Sequence, residues 1–361
     1  MINASIRNLA IDMLLDLLKI YSPPRREGQA IELLKKYAEE LGYEYIETDG
    51  AGNLIASYGE GNTILASVGH IDTVPWEIPV KFDGYTVSGR GAVDAKGPLV
   101  AAFIGFALAK DMIDRKRFKV YAIAAVDEEG DSLGAKHLLK SGFRADGLIV
   151  SEPSNGNGVV VGYRGSMRIR IVCTGSGGHS SSYSEDSACE KLISIWQRLR
   201  SNYGVIDVKR NTASLLKLFC GEDAPINPRY GESIISIRIS IDGDILNLKT
   251  DINNIINDFS NCNWYILDYT KPIRTSVNNP VARALTRAII KNGLRPRILY
   301  KYGTSDMNIL YPEVSQNIAA YGPGRSELAH TAVEKISVDE LLQGIEVYRA
   351  VVGEFFNIFR P

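Results

Sequence analysis

The chain has 361 residues, 45% of them hydrophobic, so it is long enough for a large core and for more than one domain. Its 41 Lys plus Arg nearly balance 42 Asp plus Glu, and the formal charge of −1 excludes a bulk field that would draw it to nucleic acid or an anionic membrane. No apolar run approaches the ~20 residues of a membrane span, and the polar, amphipathic opening residues do not read as a signal peptide. Cys173, Cys189, Cys220 and Cys262 have no Cys-x-x-Cys spacing. The expectation is a soluble cytoplasmic protein with reduced, buried thiols.

In chain order, residues 5–20 read as a helix capped by Ser5, with apolar Ile6, Leu9, Ala10, Met13, Leu14 and Leu17 on one face. Ser22-Pro23-Pro24 breaks it, and a second helix at about 27–41 is stopped by Gly42. Strand-like runs follow at 43–47, 54–58 and 63–68, then a helix at 99–110, a strand at 119–126, a helix at 133–141 and a strand at 147–150. Strands alternating with helices predict a mostly parallel sheet covered on both faces.

The texture changes near Gly162. Residues 167–174 and 233–241 alternate polar with apolar, 188–199 and 249–259 read as helices, and 263–269 as a further strand. Half-polar strands in a strand-helix-strand-strand-helix-strand pattern predict a small α+β domain with one exposed sheet face. After Pro280 a helix at 281–292 restores the α/β texture. The expected organisation is one α/β domain, 1–163 and 275–361, interrupted by an inserted domain at 164–274.

The chemistry-bearing residues end successive elements. His70 and Asp72 close the run 64–75; at i and i+2 of a strand they share a face, and a carboxylate so placed can orient an imidazole that binds metal. Asp94 lies among glycines in Gly89-Arg90-Gly91-Ala92-Val93-Asp94-Ala95-Lys96-Gly97, where it would either bridge two metal ions or cap the helix that follows. Glu128 and Glu129 follow a buried strand, and Glu152 follows another, ahead of Pro153. His330 precedes a terminal helix taken to carry Glu334. Each alone is weak; a solvated acidic turn or a loop histidine would account for it. Together, at the ends of one predicted sheet, they suit two zinc, cobalt or manganese ions better than calcium or magnesium. Two such ions ~3.5–4 Å apart would polarise a carbonyl and acidify a water, and a nearby glutamate could move the proton.

In these blocks (GHIDTVP, GRGAVDAKG, the strand ending in DEEG, SEPS, GGHSS, GTSD, and GPG followed by AHT) the chain resembles the M20 family of metallopeptidases. The resemblance implies a zinc-peptidase-like catalytic domain with an inserted ferredoxin-like domain serving as lid and dimerisation surface. It implies that His70, Asp94 and Glu152 hold one Zn2+ or Co2+, and Asp94, Glu129 and His330 the other. Asp72 would then orient His70, Glu128 would be the general base, and the Asp94-Ala95 peptide would be cis. It further implies that His179 is lent to the partner subunit of a homodimer to stabilise an oxyanion, and that Asn227 and Arg238 meet the substrate. His137 reads as structural.

Within the family the likeness is greatest to the lysine-biosynthesis branch that works with an acidic amino-group carrier protein, through GAVDAKGPL, the SEPS–GYRG spacing and GTSDMN. This implies release of lysine or ornithine from the carrier's C-terminal glutamate γ-amide. Gly303, Thr304 and Ser305 would bind the product carboxylate, Asp306 or Glu327 its ammonium, and Arg164, Arg168 and Arg170 would form a local docking patch. The alternatives are an N-acetylornithine deacetylase or N-succinyl-diaminopimelate desuccinylase, then a dipeptidase or carboxypeptidase. A metal-binding module without catalysis predicts a missing ligand or base, and none is missing. A dinucleotide site is disfavoured because Gly89-Arg90-Gly91 lacks a third glycine.

Overall fold

The computed structural model describes residues 2–181 and 186–359. The chain divides into two compact units, one of the residues up to Val161, Thr275–Leu299 and those from Ser305, the other of Gly162–Arg274 and Tyr300–Thr304.

The first unit is built on a sheet in the order Tyr45–Thr48, Leu54–Tyr58, Phe118–Ala125, Thr63–His70, Gly147–Ser151, Ile318–Tyr321, Gly158–Tyr163. Its four central strands, from Phe118–Ala125 to Ile318–Tyr321, run parallel. Every residue of Gly147–Ser151 and Ile318–Tyr321 is buried, which is why these segments read as unbroken apolar runs. Helices Lys96–Leu108 and Val338–Ile358 pack on one another, with Ala4–Lys19 and Pro280–Lys291 beside them. Because the central strands are parallel, their carboxyl ends, at His70, Ala125, Ser151 and Tyr321, lie along one edge of the sheet. That is the edge where open α/β sheets gather their ligands.

The second unit is a four-stranded antiparallel sheet in the order Thr212–Cys220, Tyr230–Ile239, Gly165–Thr174, Cys262–Thr270. Helices Ala188–Asn202 and Ile245–Ile256 cover one face, burying Met167, Ile169, Ile171, Ile235 and Ile237 against Leu192, Ile195, Leu248 and Ile252. Arg168 and Arg170 point the other way, Arg168 to Asp268 at 2.5 Å and Arg170 to Glu232 at 2.5 Å.

Several expectations are corrected. The first helix is capped by Asn3, whose side chain accepts from the Ile6 N–H, and not by Ser5. Glu334 is not in the terminal helix; it precedes the strand Lys335–Ser337 and the helix Val338–Ile358. The cysteines are not reduced: Cys173 bonds to Cys262 and Cys189 to Cys220. Cys173 and Cys262 face each other in the register of two paired strands, a proximity that their separation of 89 residues conceals. A reducing compartment therefore loses its support from cysteine usage. Arg164 is no surface residue: it is 2% exposed, and its Nη2 donates to the carbonyls of Arg210 and Arg238 and to the Thr212 hydroxyl. Among the described residues no helix is long and apolar enough to cross a membrane.

Candidate metal centre

His70 is the last residue of its strand, and its side chain is 1% exposed. Its Nδ1 lies 2.9 Å from the Asp72 backbone oxygen, which can only accept, so Nδ1 carries the hydrogen and Nε2 is turned toward Asp94. Nε2 is 3.2 Å from Asp94 Oδ1 and 3.9 Å from Glu152 Oε1. His330 approaches from the far end of the chain, with Nε2 at 3.2 Å from Asp94 Oδ2 and 2.6 Å from Glu129 Oε1. One carboxylate thus offers one oxygen to each of two imidazoles. Ligand atoms of His70, Asp94 and Glu129 all fall within 4.8 Å of one another. His330 holds this position with φ of 60°, a left-handed conformation that is uncommon outside glycine and concentrates at functional sites.

The donor chemistry fits a pair of divalent ions of the zinc class: one imidazole and two carboxylates for each, with Asp94 common to both. Burial opposes charge on His70, yet the Asp72 and Asp94 carboxylates hold its pKa well above the ordinary histidine value. Bonds to Asp94 and Glu129 push His330 up to about 10.

Asp94 does not cap the following helix, which starts at Lys96 behind Ala95 with no side-chain cap; the Asp94-Ala95 peptide is cis. Asp72 does more than orient His70. Its two carboxylate oxygens accept the backbone N–H groups of Glu128, at 3.1 Å, and Glu129, at 2.9 Å. It therefore fixes the base candidate and a ligand candidate together. Burial drives the pKa of Glu128 well up; His70 opposes this, and Glu152, Asp306 and Glu129 add to it.

The contacts of a second buried carboxylate, named from the sequence only for its place near the terminal helix, escaped that reading. Glu334 is fully buried. Its Oε1 accepts the N–H groups of Gly91, Val93 and Asp94 at 3.0, 2.9 and 3.0 Å, and its Oε2 accepts from Arg90 Nη1 at 2.6 Å. Gly91 has φ of 92°, a conformation a side chain would strain. The only available pointer was the position of Glu334 four residues after His330.

Of the substrate-binding candidates in this unit, Ser305 donates its N–H to Asn308 Oδ1. Asp306 is buried, with Oδ1 unpartnered among the described residues, and burial pushes its pKa up to about 7. Glu327 is exposed and ion-paired with Arg325. Gly303, Thr304, His179, Asn227 and Arg238 belong to the other unit. There His179 is exposed and bridges to Ile226, and Asn227 donates its N–H to the Gly178 carbonyl at 2.8 Å, so the His179 and Asn227 loops adjoin. Arg238 lies in the strand Tyr230–Ile239, where burial lowers its pKa. His137 sits with its Nε2 3.9 Å from Asp49 Oδ2.

The family model described as Peptidase family M20/M25/M40 matches residues 66–354. A protein of Saccharolobus islandicus named LysW-lysine/LysW-ornithine hydrolase is 37% identical over 356 residues, covering 98% of this chain and 97% of its own. A putative enzyme of the same name from Aeropyrum pernix is 36% identical over 348 residues, covering 96% of each. Among solved structures, aminopeptidase PepT of Bacillus cereus superposes with a TM-score of 0.81 at 20% identity, covering 97% of this chain and 99% of its own. The M20 family metallo-carboxypeptidase Sso-CP2 of Sulfolobus solfataricus does so with 0.74 at 18%, covering 96% and 99%. At such identities the two structures speak for the fold alone, a central mostly parallel sheet in a mixed α/β arrangement.

Proposed function

The chain belongs to peptidase family M20/M25/M40, and from that membership we propose that it is a dinuclear metal-dependent amidohydrolase that releases L-lysine, L-ornithine or both from the C-terminal glutamate γ-amide of an acidic amino-group carrier protein. The observation that carries the chemistry is Asp94, with one oxygen 3.2 Å from His70 and the other 3.2 Å from His330. The substrate is supported by the names of the near-full-length relatives. His70, Asp94 and Glu152 would hold one Zn2+ or Co2+, and Asp94, Glu129 and His330 the other.

Bound there, the ions would supply Lewis-acid polarisation of the amide carbonyl and acidify water. Glu128 takes a proton from the attacking water as its oxygen bonds to the carbonyl carbon. As the C–N bond breaks, Glu128 passes that proton to the departing amine. Asp72 keeps Glu128 at its station through the backbone. The carrier retains its glutamate carboxylate and the amino acid leaves as a free amine.

His179 would stabilise the developing oxyanion, lent by one subunit of a homodimer to the other, with Asn227 and Arg238 meeting the substrate. Gly303 and Thr304 would meet the product carboxylate. Of the two carboxylates available for its ammonium, exposed Glu327 is the accessible one and buried Asp306 is not. Residence in the cytoplasm belongs to the same reading, because the carrier's pathway is biosynthetic.

The test is amine release by zinc- or cobalt-loaded protein from carrier-linked lysine and ornithine, set against N-acetylornithine and N-succinyl-diaminopimelate. Strong preference for the carrier-linked amides is expected. The Glu128→Gln protein should keep its metal and lose turnover by about 10²–10⁴-fold. Preference for a free N-acyl amino acid would leave the chemistry and overturn the substrate.

A further inference from the structure

We propose that Glu334 is the positioning residue of the bridging carboxylate: by collecting the backbone N–H groups of Gly91, Val93 and Asp94 on one oxygen, and Arg90 on the other, it sets the turn that aims the two oxygens of Asp94 at two different histidines. The residue is fully buried and all four contacts lie between 2.6 and 3.0 Å. Three donors on a single oxygen define the path of the Gly91–Asp94 backbone, and the last of them is the bridging residue's own N–H. The backbone at Glu334 takes part as well, since its carbonyl accepts the Gly89 N–H at 3.3 Å.

Glu334 also stands four residues after His330. One side chain therefore ties the turn that carries Asp94 to the segment that carries His330, and these two supply the 3.2 Å approach on one side of the site. Arg90 is anchored in turn, its Nε donating to the Trp76 carbonyl at 2.7 Å. Only a carboxylate satisfies this position. Every group facing it is a donor, so a glutamine must turn its own NH2 toward either the guanidinium or the three backbone amides.

The inference rests on the two-ion reading, and the unaltered protein reports that reading separately: it should take up two Co2+ per subunit. Glu334→Gln and Glu334→Asp are to be compared with it by calorimetric Co2+ titration and by the visible absorption spectrum of the Co2+ form, with far-UV circular dichroism to establish folding. The expected result is a folded variant with 10–100-fold weaker Co2+ binding and an altered cobalt spectrum, and at saturating metal a fall in kcat with little change in KM. Folded variants with unchanged affinity and spectrum would overturn the proposal. So would failure of both variants to fold, which would assign Glu334 to general stability. Binding of fewer than two ions by the unaltered protein would instead overturn the two-ion reading.

Discussion

Under the proposed two-ion reading, His70 and His330 would give up protons to take metal, and the surroundings of each set how readily they do so. The pKa of His330 is raised from near 6.5 to about 10, and that of His70 is also raised. In the metal-free protein the His330 pairings thus stabilise fully below pH ~6.5 and fade as pH rises through about 10. Both imidazoles must shed a proton before they can bind an ion, so metal affinity should climb with pH across the neutral range. Calorimetry in buffers of different ionisation enthalpy should register one proton released per histidine; an affinity flat between pH 6 and 8 would contradict the assignment. At this scale the sequence was legible where a metal-binding residue type falls at or soon after a strand end, as at His70, Glu129 and Glu152, whose side chains gather around Asp94 and His330. It was illegible for Glu334 and for the second role of Asp72, because both act on backbone N–H groups, and a backbone partner leaves no mark in residue identity.

Among the elements, buried strands such as Thr63–His70 and Gly147–Ser151 were readable as apolar runs, and Gly165–Thr174 as an alternation. Thr212–Cys220 had no such pattern. It is an edge strand with a register shift between Leu215 and Lys217, and most of its residues are exposed, so neither period survives in its sequence. The disulfides are likewise a property of pairing. Cys189–Cys220 ties a helix to this edge strand and closes a loop of 31 residues, Cys173–Cys262 one of 89. Chain-entropy arithmetic puts the first at about 3–4 kcal/mol and the second at about 4–5 kcal/mol. Replacing both cysteines of either pair by serine should lower the denaturant midpoint of the Gly162–Arg274 unit accordingly, measured by chemical unfolding. An unchanged midpoint would remove the stabilising role.

On the scale of the whole molecule, the two units differ in what would hold them. The proposed metal ligands run from His70 to His330 in sequence, all within the larger unit, whereas both disulfides lie in the inserted one. Ions bound only by the folded state stabilise it by mass action, about 4 kcal/mol at a free concentration a thousandfold above Kd. Chelation should therefore lower the melting transition of the larger unit by several degrees, and a reductant that of the inserted unit. Differential scanning calorimetry separates the two; a chelator without effect would argue against metal in the folded protein.

Where the chain leaves the larger unit at Val161 and returns at Thr275, the Thr275 N–H donates to the Val161 carbonyl at 2.8 Å. Departure and return are thus backbone neighbours, and the long excursion between them begins and ends at one hydrogen bond. A segment anchored in that way can change in length or sequence without moving either of its ends, which leaves the parallel strands of the larger unit, and the candidate metal residues beyond their carboxyl ends, where they are.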